Sequence, residues 1–152
     1  MKRTFLLVSA AALAALAVAP VAPAKVIVGT AADDTLAGTA RRDFVYGRAG
    51  ADIIWGHNGN DILVGNTGMD WLIGGPGEDD LQPVGGGEGL DRLWAGPGAD
   101  LLFGREDSDE LIAIDADGQV DVVRCGLGND RAVVRQGDDV QGCERVQRLP
   151  GT

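Results

Sequence analysis

Carboxylates return through the middle of this chain at a fixed interval. Starting at Asp34, an aspartate recurs every ninth residue at Asp43, Asp52, Asp61, Asp70 and Asp79. One step is longer by three residues, and the beat resumes at Asp91, Asp100 and Asp109. An ionised aspartate offers only acceptor oxygens, the donor type that hard cations take. Ca2+ takes six to eight such oxygens, at about 2.3–2.6 Å. One carboxylate per nine residues cannot supply that shell, so backbone carbonyls and a neighbouring turn must complete it, and each ion bridges two turns. The strongest metal candidates are Asp52, Asp61, Asp70, Asp79, Asp91 and Asp100, with the glycines two places before them: Gly50, Gly59, Gly68, Gly77, Gly89 and Gly98. Asp34, Asp43 and Asp109 are candidates at the ends of the array.

The elements that must position these carboxylates are legible from the same period. Two places after each aspartate stands an aliphatic residue: Leu36, Val45, Ile54, Leu63, Leu72, Leu81, Leu93, Leu102 and Leu111. A repeat this short is one loop and one very short strand stacked many times, not a helical solenoid or a propeller blade. With glycine at position 1, aspartate falls at position 6 and the aliphatic residue at position 8. Strand side chains alternate, so position 8 points into a core and positions 7 and 9 point out. Glycines at positions 1, 2 and 4 permit left-handed backbone angles, which let the loop curl its carbonyls toward one point. Ala32, Arg41 and Asp107 replace the position-4 glycine, and Arg41 and Arg42 set positive charge beside Asp43. The terminal repeats are therefore expected to be weaker metal sites than the middle ones.

The units GHNGNDILV (56–64), GGPGEDDLQ (74–82), GGEGLDRLW (86–94) and AGPGADLLF (95–103) resemble the RTX, or hemolysin-type, calcium-binding nonapeptide GGxGxDxUx. The likeness runs over 84 residues, from Gly29 to Ile112. It implies an all-β fold, a right-handed parallel β-roll in which two nonapeptides make one coil and alternate repeats stack. One side would carry Asp34, Asp52, Asp70, Asp91 and Asp109, and the other Asp43, Asp61, Asp79 and Asp100. It implies about four to seven Ca2+ ions between same-side turns, with folding dependent on them. The insertion Pro83-Val84-Gly85 is expected to bulge outward; if it flips the alternation, the pairings after Asp79 change.

The flanks frame this array. Lys2 and Arg3 precede an apolar Ala-rich run, and Ala22-Pro23-Ala24 offers a small-x-small cleavage site. Residues 1–24 read as a secretory signal peptide, with a membrane anchor as the alternative. Removing them takes the formal net charge from −10 to −12. That excess argues against nucleic acid and anionic membrane surfaces as partners and suits a protein whose positive charge arrives as metal. The expected location is secreted, extracellular, with no membrane span after cleavage. Residues 25–112 form the repeat region and 113–152 a degenerate cap and tail, or alternatively a small separate domain. Cys125 and Cys143 are expected to pair as a disulfide in an exported chain; a zinc site is the alternative. The tail, CGLGND followed by DDV and CERV, also resembles tails of secreted bacterial calcium-repeat proteins.

Outward positions carry Trp55, Trp71 and Trp94 beside Ile53 and Ile73. They are either ordinary strand aromatics or an exposed strip for a polysaccharide or cell-surface protein. The only histidine is His57, and Ser108 is the only serine after residue 24, so no nucleophilic triad assembles. The sequence reads as a non-enzymatic calcium-binding repeat protein with a structural or adhesive role. The alternatives are a surface-binding module using the tryptophan face and an accessory module of a secreted hydrolase.

Overall fold

Alternating burial organises the chain into two parallel sheets wound as a solenoid. The computed structural model describes residues 24–83 and 89–151. The expected leader therefore lies almost wholly outside the described residues, as do Val84 and Gly85 of the insertion; Pro83 is buried. The first sheet holds β1 (Val26–Val28), β3 (Phe44–Ala49), β5 (Ile62–Thr67), β7 (Asp80–Gln82), β9 (Leu101–Arg105), β11 (Val122–Gly126) and β13 (Asp139–Gln141). The second holds β2 (Thr35–Ala37), β4 (Ile53–Trp55), β6 (Trp71–Ile73), β8 (Arg92–Trp94), β10 (Glu110–Ala113), β12 (Arg131–Arg135) and β14 (Arg145–Leu149). Successive strands fall in opposite sheets, so two strands and two loops make one coil. Among the described residues there is no helix, and none long and apolar enough to cross a membrane.

Parallel sheets buried on both faces read as continuous apolar runs. These strands are buried on one face only, which is why they alternate. Position 8 is the inward one: Val45, Ile54, Leu63, Leu72, Leu81, Leu93, Leu102, Leu111 and Val123 are all completely buried. They stand in two files, Leu36–Ile54–Leu72–Leu93–Leu111–Ala132 in the second sheet and Ile27–Val45–Leu63–Leu81–Leu102–Val123–Val140 in the first. Each buried side chain of this size contributes roughly 1.5–3 kcal/mol.

The longer step between Asp79 and Asp91 leaves the alternation intact. β6 pairs with β8 and β7 with β9, so the side assignment of every repeat continues unchanged. The two sheets also run unbroken past residue 113, with β11 on β9 and β12 on β10 in the same register. Cys125 and Cys143 form a disulfide with a Cα–Cα distance of 5.1 Å, which settles the zinc alternative. It ties β11 to the residues just after β13.

Position 1 is interior as well. Ala95, Ala113, Cys125 and Val134 occupy it or its equivalent in the later coils, and all are fully buried. The earlier coils have glycine there for lack of room, not for a left-handed angle. A Cβ built at Gly56 would lie 2.5 Å from Asp61 Oδ2 and 2.7 Å from the Gly74 carbonyl oxygen. This corrects the expectation that glycine at position 1 serves the backbone angle. Left-handed angles belong to positions 2 and 4.

Candidate metal centres

Each loop between strands delivers its position-6 aspartate to the edge of the core. Asp43, Asp52, Asp61, Asp70, Asp79, Asp91, Asp100 and Asp109 are all at most 6% exposed. Their two oxygens do different work. Oδ1 accepts the backbone N–H of the aspartate one coil earlier on the same side. On one side Asp34, Asp52, Asp70 and Asp91 donate in turn to Asp52, Asp70, Asp91 and Asp109 at 2.7–3.0 Å. On the other, Lys25, Asp43, Asp61 and Asp79 donate to Asp43, Asp61, Asp79 and Asp100 at 2.7–2.9 Å. The carboxylates thus form two hydrogen-bonded ladders, a role the spacing alone does not disclose.

The ladders extend further than the nine repeats. Asp100 donates to Asp121 at 2.9 Å and Asp121 to Asp138 at 3.2 Å. Asp109 donates to Asp130 at 2.8 Å, and Asp130 ends its ladder on Glu144 Oε2 at 2.8 Å. The signal for Asp121 was present in its spacing, nine plus three after Asp109. Glu144 sits off the beat, and its only signal lay in the CERV of the tail.

Oδ2 turns back toward its own loop. In Asp52, Asp61, Asp70, Asp79, Asp100, Asp109 and Asp130 it is buried and has no hydrogen-bond partner. A buried carboxylate oxygen without a partner is costly, and seven of them stand in register along the two ladders. The first two loops and the last are closed instead. Asp34 Oδ2 accepts from the N–H and the hydroxyl of Thr30, the hydroxyl at 2.9 Å. Asp43 Oδ2 is held in the same way by Thr39, the hydroxyl at 2.8 Å. Asp138 Oδ2 accepts the Arg135 N–H at 2.7 Å.

Position 2 decides between the two states. Where it is threonine, its N–H faces the carboxylate. In open loops among the described residues it is left-handed, with φ of 90° at Arg48, 77° at His57, 76° at Asn66, 104° at Gly75 and 79° at Arg105. Position 4 is left-handed at Gly50, Gly59, Gly68, Gly77 and Gly98, and also at Asp107, whose φ is 73°. The loop of Asp109 therefore has the open form despite lacking glycine. Gly89 is not left-handed; its N–H donates to Asp107 Oδ2 at 3.2 Å. Coils stack so closely here that the Gly59 carbonyl abuts the Cα of Gly77, and the Gly77 carbonyl that of Gly98.

Among the described residues, no three Asp, Glu, His or Cys side chains converge on one point. Side-chain donors come singly, one per turn, so any ion must draw most of its ligands from backbone oxygens. Asp61 Oδ2 and the Gly74 carbonyl converging beside Gly56 are such a pair, repeated by Asp79 Oδ2 and the Ala95 carbonyl beside Gly74. This oxygen-only, mixed donor set fits calcium, which accepts irregular shells of carbonyl and carboxylate. The electrostatics agree. Burial, reinforced by neighbouring carboxylates, pushes Asp70 up to about 6, Asp79 and Asp109 to about 7 and Asp100 to about 8. Asp52, Asp61, Asp91 and Asp130 are raised for the same leading reason. Asp43 goes the other way: burial opposes its charge, but the Lys25 N–H and the Thr39 contacts outweigh it.

A family model describing the RTX calcium-binding nonapeptide repeat matches residues 28–63, 55–82 and 85–113. The chain belongs to the RTX calcium-binding nonapeptide repeat family. RTX repeats bind calcium. No curated protein and no solved structure matches the chain.

The tryptophans of this RTX protein share the outer face of the second sheet. Trp55 and Trp94 flank Ile73 in one column, while Trp71 lies between Ile53 and Arg92 in the other. Trp71 is 46% and Trp94 49% exposed. One face of the Trp71 ring is covered by the Arg92 guanidinium at 5.2 Å.

Proposed function

We propose that this is a secreted, non-catalytic calcium-binding protein, folded by ions held between stacked loops and serving a structural or adhesive role outside the cell. The observation that carries this reading is the row of seven buried, unpartnered Oδ2 atoms from Asp52 to Asp130. Asp52, Asp61, Asp70, Asp79, Asp100, Asp109 and Asp130 would each contribute one carboxylate oxygen, and Asp91, buried in the same ladder, a further one, with loop carbonyls completing the shell. Asp34 and Asp43 are the weaker members, because Thr30 and Thr39 already satisfy them. The leader-like residues 1–24 support export. Counting the calcium bound in equilibrium dialysis against about 10⁻³ M calcium tests the assignment. About half a dozen ions per chain are expected, with one fewer in Asp79→Asn; a chain carrying none would refute it.

A second reading, surface attachment, is favoured by one column of the second sheet. Ala37, Trp55, Ile73, Trp94, Ile112 and Val133 lie in consecutive register on its outer face. Such a strip suits a polysaccharide or a cell-surface protein. Loss of glycan or cell binding in Trp94→Ala, with calcium content unchanged, would support it.

A further inference from the structure

A groove of about 660 Å³ runs across the coils along the position-7 column of the second sheet. Met69, Trp71 and Leu90 line one end, and Arg92, Arg131 and Arg145 line the rest. Strand pairing puts Trp71, Arg92, Glu110, Arg131 and Arg145 on successive rungs, so neighbours are spaced by about 4.8 Å. Glu110 is shared between Arg92 at 3.4 Å and Arg131 at 2.5 Å. The Arg145 guanidinium has no carboxylate partner among the described residues and donates only to the Asn129 carbonyl, at 3.2 Å. Three guanidinium groups against one outward carboxylate form a cationic stripe on a chain of net charge −10. Asp52, Asp91 and Asp109 also border the groove, but they are buried and their Oδ1 atoms serve the ladder. On the calcium reading above, on which this inference rests, bound ions offset their charge.

β6, β8, β10 and β12 are each paired on both sides, so the groove offers no free backbone edge to a peptide strand. Recognition there must come from side chains. Guanidinium forks match carboxylates, and the Met69, Trp71 and Leu90 end offers flat apolar surface to a sugar ring. The coil spacing is close to the length of one pyranose unit, so successive sugars would meet successive rungs. We propose that this groove binds a uronate-bearing polysaccharide, with a carboxylate held between Arg131 and Arg145 and a ring face on the Trp71 end.

The test titrates the calcium-saturated protein with hyaluronan oligosaccharides, chitin oligosaccharides of equal length and oligo-glutamate, following tryptophan fluorescence and heat. Hyaluronan is expected to bind, more weakly as salt rises, and to bind better than either comparison ligand. Arg131→Ala with Arg145→Ala should lower its affinity about tenfold or more, equivalent to about 1.4 kcal/mol. The lysine pair at the same positions should fall between. Circular dichroism in calcium shows that each variant is folded. Absence of hyaluronan binding, equal binding of chitin or oligo-glutamate, or unchanged affinity in a folded alanine pair would overturn the proposal. Failure of the calcium reading appears separately, as a missing calcium response before any sugar is added, and would remove the groove's charge argument with it.

Discussion

Asp61 donates its backbone N–H to Asp79 Oδ1 at 2.8 Å, while the other oxygen of Asp79 is buried with no partner. One side chain thus holds two coils together and leaves an anionic oxygen for a cation. The two functions can be separated. Asp79→Asn keeps an acceptor for Asp61 and removes the charge. It should weaken calcium binding while raising the β-structure that remains in chelator. Asp79→Ala loses both and leaves a buried N–H unmet, costing about 1–3 kcal/mol. Urea melts in calcium and far-UV spectra in chelator of the two variants distinguish these outcomes.

Acid and calcium should act as alternatives. Asp70, Asp79, Asp100, Asp109 and Asp121 have their values raised by burial first and then by neighbouring carboxylates, to between about 6 and about 8. A carboxyl raised on folding favours the folded state below its ordinary value of 3.8, and that contribution is lost as pH climbs through the raised value. Without calcium, β-structure should therefore be strongest near pH 4 and fade between pH 6 and 8. With calcium the trend reverses, because protons compete for the same oxygens and acid weakens binding. Far-UV spectra across pH, with and without chelator, check both signs.

Thr39 closes the Asp43 loop from within, its hydroxyl at 2.8 Å from Oδ2. Thr39→Val should cost about 0.5–1.5 kcal/mol and leave the number of bound ions unchanged. A large loss of calcium would show instead that the first loops are metal sites like the middle ones.

The Cys125–Cys143 bridge fastens the last coils, where Asp138 and Glu144 end the two ladders. Reduction should lower stability by roughly 3 kcal/mol on the chain-entropy account and raise the calcium needed for folding. Hydrogen exchange should show faster opening of β13 and β14 than of β5 and β7.

The fold was legible because one period governs both core and loop. The aliphatic residue two places after each aspartate marks the inward face, and the likeness to the RTX nonapeptide implies which repeats share a side. The longer step at 79–91 left that parity intact because an insertion in a loop does not move strand register. What was hidden has local causes. Nothing in the spacing says that Asp79 Oδ1 is taken by the Asp61 N–H, since a ladder and a metal ligand need the same residue at the same place. Arg48, His57, Asn66 and Arg105 adopt left-handed angles without being glycine, so composition hides the open loops. Ala95, Cys125 and Val134 look like departures from a glycine pattern, yet they fill interior space in coils that can accept a side chain.

The central claim is that calcium on the buried aspartate oxygens makes this fold, and titrating the chain from Lys25 onward with calcium tests it most directly. Far-UV circular dichroism and tryptophan fluorescence are read as calcium rises from chelator to about 10⁻³ M, the range of extracellular sites. The account predicts a cooperative passage from coil to β-structure that magnesium does not reproduce. A chain already folded in chelator at pH 8, with no response to calcium, would contradict it.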